Sequence, residues 1–266
     1  MLFGMCMAIE DEENMRIASD YGFDYVEGNF QMLSRGTEEK HRAVSENIKK
    51  YGIDCLAANG FLPADLKCCG EDRNPAALYD YVKKGLDFGA ELGLKKVVFG
   101  SGGARQIPNG CCFTDACRET ADFLEKIVSP LFTEYGVQLV IEPLRREECN
   151  FINTVKEGAG LSVLSNSDNI FCLADIFHMY CENDSFENIT DLKGLVKHSH
   201  ISYPKERFGM NRSYPLSGDE FDYYEFIRAL KAAGCNTCSI EAGTKDRAAD
   251  ACLAMKVLRK LDTMEV

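Results

Sequence analysis

Tryptophan is absent from the 266 residues, histidine occurs four times and proline only seven times. No apolar run approaches the roughly 18 residues that a membrane-crossing helix needs, so no helical span is expected. Basic residues are outnumbered, 30 Lys and Arg against 42 Asp and Glu, which leaves a formal net charge of −12. Nucleic acid is therefore not expected as a partner, because phosphate binding calls for clustered cations. The opening stretch MLFGMCMAIEDEEN has no basic segment ahead of its short apolar one, so it does not read as a secretory signal. No Pro-, Ser- or Gly-rich stretch and no block of like charge divides the chain, and a single domain over residues 1–266 is expected. Cysteine is plentiful instead, with thirteen residues. An odd number scattered over this length does not describe a disulfide scaffold; free thiols in a cytoplasmic protein are the expectation.

Apolar residues make up 45% of the chain and charged ones 27%, which is ample material for a core. Short apolar runs alternate with longer helical patterns from end to end. The runs expected as strands are 2–7, 25–30, 55–59, 96–100, 138–144, 170–176, 196–202 and 237–242. Several are rich in Val and Ile and almost continuously apolar, as strands buried on both faces tend to be. The segments expected as helices are 12–21, 37–51, 75–92, 115–135, 154–164, 186–192, 222–233 and 246–261. Pro75 after Asn74, and Asp222 before an aromatic run, suit helix starts. Gly52, Gly93, Gly136 and Gly234 each stand just past a helical stretch, where a left-handed cap favours glycine. Eight strand–helix units in strict alternation point to a parallel (β/α)8 TIM barrel. The competing doubly wound sheet lacks its GxGxxG turn.

Function in such a barrel gathers at the C-terminal ends of the strands. Four consecutive strands carry ionisable residues there. Glu142 closes VQLVIE, Asp175 interrupts NIFCLADIFHM with His178 three residues on, His198 and His200 share a face in VKHSHIS, and Glu241 follows TCSI. A lone Glu at a strand end is commonly a salt-bridge member, and a lone His a hydrogen-bonded core residue. Burying unpaired carboxylates costs several kcal/mol, however, so a convergent set asks for a common partner. A divalent cation is such a partner. Glu142, Asp175, His200 and Glu241 make an oxygen-rich ligand set that suits Mn²⁺, Mg²⁺ or Co²⁺ better than a thiolate zinc site, with Zn²⁺ the alternative. His198, one layer deeper, is expected in support of the ligands.

These segments resemble the xylose isomerase-like TIM barrels, and within them the sugar isomerase/epimerase branch that includes D-tagatose 3-epimerase-like enzymes. The matching stretches are VVFGSGGARQIPNG, IEPLRREECNFINT, LADIFHM, HSHIS, SGDEFDYYEFIRALKAAG and SIEAG, in order over most of the chain. The resemblance implies that Glu142, Asp175, His200 and Glu241 bind a metal, Mn²⁺ foremost, and that Glu142 and Glu241 work as acid and base. It also implies that Glu148 lies near the strand-five glutamate and that His178 contacts substrate oxygens. The branch usually carries an arginine six residues after the strand-seven histidine. Here that place is Glu206, so Arg207 is the candidate. Without tryptophan, any pocket wall that relatives build from indole must come from Phe or Tyr.

The reaction implied is proton abstraction beside a carbonyl, through a metal-stabilised enediolate, on a sugar or polyol. Epimerisation and isomerisation need the same parts. Two competing readings are a barrel that binds sugar without catalysis and an endonuclease IV-like nuclease of the same superfamily. The nuclease would want a histidine-rich multi-zinc site and a basic face. Among weaker signals, GSGGAR (100–105) reads as a plain loop with Arg105 a candidate substrate contact. Cys68–Cys69 and Cys111–Cys112 fall in consecutive loops at one rim. Cys235 and Cys238 form a CxxC without a completing partner. Tyr214, Tyr223, Tyr224 and Phe226 fit either core packing or a homo-oligomer contact.

Overall fold

All eight apolar runs form strands in the computed structural model, which describes residues 1–205 and 212–264. They are β1 (Leu2–Cys6), β2 (Tyr25–Asn29), β3 (Ala57–Asn59), β4 (Lys96–Phe99), β5 (Gln138–Ile141), β6 (Ile170–Asp175), β7 (Val196–Ile201) and β8 (Thr237–Ile240). Each pairs in parallel with its neighbours in sequence, and β8 returns to β1, so the sheet closes into a (β/α)8 barrel. Most strands end one to three residues before the apolar pattern does. The residues beyond the ladder, Glu142 and Glu241 among them, leave the sheet to form the mouth.

Helices fill the intervals: α1 (Glu12–Asp20), α2 (Phe30–Arg35), α3 (Glu38–Tyr51), α4 (Pro75–Glu91), α5 (Gly102–Arg105), α6 (Phe113–Phe123), α7 (Ser129–Tyr135), α8 (Val155–Leu164), α9 (Ile176–Glu182), α10 (Glu187–Asp191), α11 (Tyr223–Ala233) and α12 (Arg247–Thr263). Asn74 caps α4 by accepting from the Ala77 N–H at 3.1 Å, with Pro75 in the first turn. Gly52 and Gly136 sit at φ +63° and +62° past α3 and α7, left-handed conformations that a Cβ would strain. Asp222 does precede α11, but its side chain makes no capping bond.

The long helix expected over 115–135 carries an interruption. A π-helical turn, Leu124–Val128, joins α6 to α7 just ahead of Pro130. Proline has no N–H to donate, and its ring crowds the carbonyl four residues back; a widened turn relieves both problems without ending the helix. Three short helices, α2, α5 and α9, lie where strand ends and a loop were expected. For α2 and α9 the last strand residue doubles as the N-cap, Asn29 for one and Asp175 for the other.

The main core lies between the sheet and the helices, where Phe30, Phe61, Phe99 and Phe132 are fully buried. Tyr223 and Phe226 on α11, and Tyr214, are also buried, so that part of the aromatic cluster is packing. Inside the barrel, Val98, Val140 and Leu173 form one small apolar layer. The other interior positions of β2, β4, β7 and β8 are polar: Glu27, Lys96, His198, His200, Thr237 and Ser239, none more than 8% exposed.

At the lower end Tyr25 lies across Gly4 and shares a 2.9 Å hydrogen bond with Ser239 Oγ. A Cβ on Gly4 would stand 2.1 Å from the Tyr25 ring. Gly4→Ala therefore overpacks the barrel floor and is expected to cost about 1–3 kcal/mol in chemical denaturation. An unchanged denaturation midpoint would show that the ring yields freely.

Candidate metal centre

Four side chains from β5, β6, β7 and β8 meet at the barrel mouth. Glu142, Asp175, His200 and Glu241 each offer one ligand atom, and these atoms lie within 4.8 Å of one another. His200 is the hub. Its Nδ1 stands 3.0 Å from Glu142 Oε1, 3.0 Å from Glu241 Oε2 and 3.6 Å from Asp175 Oδ2.

Local structure fixes each member. Asp175 caps α9, and its Oδ1 accepts from the Phe177 N–H at 2.7 Å, which leaves Oδ2 for the site. The Glu142 N–H donates to the Phe99 carbonyl and the Glu241 N–H to the Ile201 carbonyl, so both backbones stay pinned to neighbouring strands after their own have ended. Gly100 makes room for one of them: a Cβ there would lie 2.3 Å from Glu142 Oε2. Glu241 Oε1 accepts from Asn59 Nδ2 at 3.3 Å.

Three carboxylates around one imidazole nitrogen suit a hard divalent cation, because oxygen donors neutralise its charge and a single nitrogen completes the set. Electrostatics separate the two glutamates. Burial and the charge of Glu241 raise the Glu142 pKa. Burial pushes Glu241 the same way, but Arg212 and His200 outweigh it and lower its pKa. Burial also opposes the charge on Asp175, yet Arg212 and His178 hold it well below the usual carboxylate range. Burial alone would neutralise His200; Glu27 and Glu241 instead raise its pKa well above the ordinary value.

Two residues at this site escaped the reading of the sequence. Arg212, 3% exposed, donates from Nη1 to Asp175 Oδ2 at 2.7 Å and from Nη2 to Glu241 Oε2 at 2.8 Å. Its guanidinium lies 4.8 Å from the centre of the Phe177 ring. Glu27, fully buried on β2, accepts from both histidines of β7: His200 Nε2 on Oε1 and His198 Nε2 on Oε2, each at 2.9 Å. A signal was present, an acidic residue inside the strand YVEGN, but it lies mid-strand and not at the C-terminal end where the other candidates stand.

Of the other candidates, His198 lies one layer below the ligands, sharing Glu27 with His200 and meeting its ring edge-on at 5.4 Å. Burial lowers its pKa to about 4. His178 is buried, and its Nδ1 accepts the Arg145 N–H at 3.1 Å, so in the neutral ring Nε2 carries the proton as a donor. Glu148 pairs with Arg145 Nε at 2.6 Å and stands partly exposed outside the four-residue group. Arg207 lies outside the described residues. Arg105 is a correction. It is fully buried and donates to the carbonyls of Phe99 (2.6 Å), Glu142 (2.6 Å) and Ile152 (3.4 Å). Its charge is turned to the backbone that carries Glu142, so it braces that strand end and does not face a substrate. The GSGGAR stretch that bears it folds into the single turn α5.

A cleft of about 400 Å³ opens beside Glu241, lined by Cys6, Met7, Asn29, Met32 and Asn59. Methionine supplies wall that the sequence suggested would come from Phe or Tyr. A larger depression of about 1100 Å³ lies between the loops after β3 and β4. Cys69 and Cys111 both line it, so the two cysteine pairs do share a rim; none of the four ligand candidates does. All thirteen cysteines are free, and Cys235 and Cys238 are buried in packing. Among the described residues no helix is long and apolar enough to cross a membrane.

Comparison with known proteins supplies the context. The family described as "Xylose isomerase-like TIM barrel" matches residues 15–261. The chain is 23% identical over 226 residues to 3-dehydro-D-guloside 4-epimerase of Escherichia coli (strain K12), covering 83% of this chain and 82% of that protein. A crystal structure of 3-keto-D-glucoside 4-epimerase from E. coli, in its apo form, superposes with a TM-score of 0.77 at 20% identity over 99% of this chain and 100% of that one. D-allulose 3-epimerase from Methylomonas sp., in complex with D-allulose, gives 0.81 at 17% identity over 98% and 96%. Likeness of this degree shows a common fold.

Proposed function

Because the chain belongs to the xylose isomerase-like TIM barrel family, we propose that it is a divalent-metal-dependent sugar epimerase or isomerase that moves a proton at a carbon beside a carbonyl, by way of an enediolate. The observation that carries this reading is the glutamate pair. Glu142 Oε1 and Glu241 Oε2 approach one imidazole nitrogen, each at 3.0 Å, from different sides of the barrel mouth. Two carboxyl groups that face one site from different strand ends are equipped for opposite halves of a proton transfer. The acidic net charge and the total of only four histidines speak against the nuclease reading.

Glu241, kept ionised by Arg212, is the base that takes the proton. Glu142, on the other side of His200 Nδ1, is the partner that returns one. Return to the opposite face of the same carbon gives an epimer; return to the neighbouring carbon gives an isomer. Glu142, Asp175, His200 and Glu241 would hold a divalent cation, Mn²⁺ the first expectation, which would supply Lewis acidity to the reacting carbonyl group. Arg212 orients Glu241 and Asp175. His178 offers its Nε2–H, and Glu148 a carboxylate, as substrate contacts nearer the rim.

The names of the relatives suggest ketohexoses and 3-keto-glycosides as the substrates to try. With Mn²⁺ or Co²⁺ in D₂O, NMR should show deuterium entering a carbon beside the carbonyl of at least one of them. Removing the metal with a chelator should stop it. Sugar binding without exchange across a broad panel would overturn the catalytic reading.

A further inference from the structure

We propose that Lys96 and Thr237, in the lower half of the barrel, are positioning residues for the metal centre: through His198 and Glu27 they hold His200 so that its Nδ1 is presented to the three carboxylates. The inference rests on the metal-centre reading and extends it to residues that touch none of the four ligands.

Five side chains from four strands form an unbroken line of hydrogen bonds. Lys96 Nζ on β4 stands 2.7 Å from Thr237 Oγ1 on β8. Thr237 Oγ1 is 2.8 Å from His198 Nδ1 on β7. His198 Nε2 is 2.9 Å from Glu27 Oε2 on β2, and Glu27 Oε1 is 2.9 Å from His200 Nε2. Lys96 is 8% exposed and the other four no more than 2%, so water does not compete for these contacts.

The chemistry of the two ends dictates the protons between them. A lysine ammonium only donates, and here it donates to Thr237 Oγ1 and to the Lys197 carbonyl, both at 2.7 Å. A carboxylate only accepts, so both imidazole Nε2 atoms facing Glu27 carry hydrogen. Lys96 occupies the Thr237 oxygen and the Lys197 carbonyl as a donor, both at 2.7 Å, so the short 2.8 Å contact assigns the Thr237 proton to a bare His198 Nδ1. The Thr237 hydroxyl, its oxygen already accepting from Lys96, turns its one proton there. The Lys197 carbonyl, at 3.2 Å from Thr237 Oγ1, is the longer alternative. In this order every contact has one donor and one acceptor. If His198 instead carried its proton on Nδ1, a bare Nε2 would face Glu27 Oε2, two acceptors at hydrogen-bond distance. Glu27 would have to shift, and with it the partner that sets the orientation of His200. Supporting groups of this kind commonly govern metal affinity by 10–100-fold.

The test uses the full chain labelled with ¹⁵N-histidine. In the metal-free wild type, NMR should show His198 neutral, with hydrogen on Nε2 and an Nδ1 resonance shifted upfield by an accepted hydrogen bond. Thr237→Val should move that resonance downfield and weaken Mn²⁺ binding, measured by calorimetry, by roughly 10–100-fold. Thr237→Ser should restore both. Lys96→Met, a second route to the same end, should weaken Mn²⁺ binding in the same direction. Hydrogen on His198 Nδ1 in the wild type would overturn the proposal without any variant, and so would unchanged Mn²⁺ affinity in a folded Thr237→Val. A wild type that binds no divalent cation would sink the metal-centre reading separately, while the His198 resonances still decide whether the line of hydrogen bonds exists.

Discussion

In the Glu241→Gln protein, deuterium uptake from solvent at the carbon beside the substrate carbonyl should fall by roughly 10²–10⁴-fold, the usual contribution of a positioned general base. The amide keeps the length of the side chain, and its oxygen can still accept from Asn59 Nδ2. What it loses is the ability to take a proton. Glu142→Gln should fall by a similar factor for the complementary reason, since an amide has no acidic proton to return. Both residues are also ligand candidates, so rates should be compared at saturating Mn²⁺, with its affinity measured independently. Loss of affinity alone would shift the metal titration and leave the plateau intact. Loss of proton transfer lowers the plateau itself. Full activity at saturating metal in either variant would remove that glutamate from the chemistry.

Glu27→Leu should destabilise the fold by about 3–5 kcal/mol at pH 7, the range for removing one partner from a buried charged pair. The leucine fills much of the volume, but it leaves the Nε2–H groups of His198 and His200 without an acceptor in a site that admits no water. The effect depends on pH in a defined direction. Burial opposes the Glu27 charge, yet His200 and His198 more than compensate and hold its pKa well below the usual carboxylate range. A carboxylate with a depressed folded-state pKa contributes stability that is present above its unfolded value of about 4.3 and lost as pH falls toward the folded value. Denaturation of wild type and variant in the presence of a chelator should therefore show a wide gap at pH 7 that narrows below about pH 4. A gap under 1 kcal/mol, or one that stays constant down to pH 3, would mean that Glu27 does not pair with the histidines as described.

The alternation of strands and helices was legible because each barrel strand buries both faces. Runs such as KVVF and QLVI then stand out against the amphipathic helices around them. Strand ends were not legible to the residue, since the pattern does not record where pairing stops and the mouth begins. The ligand candidates were visible because a carboxylate or imidazole at the end of an apolar strand is costly unless something pairs it. Glu27 stands in the middle of its strand, away from the ends where the other candidates lie, and what justifies it is two histidines more than 170 residues away. Arg212 could not be found by spacing, because no strand or helix periodicity in the sequence around it points to the barrel mouth. Arg105 misled for a related reason. A glycine-rich loop says where an arginine is attached but not which way it turns, and this one turns inward to three carbonyls.

Tyr25 lying across Gly4, with Lys96, Thr237 and His198 filling the interior around it, makes the inside of the barrel a cul-de-sac. Nothing the size of a sugar passes through the floor, so reactant and product must share one doorway, the rim beside Glu241. Crowding at that doorway would then slow departure as much as entry, and turnover would be sensitive to side chains such as Met7 and Met32 that have no part in moving the proton.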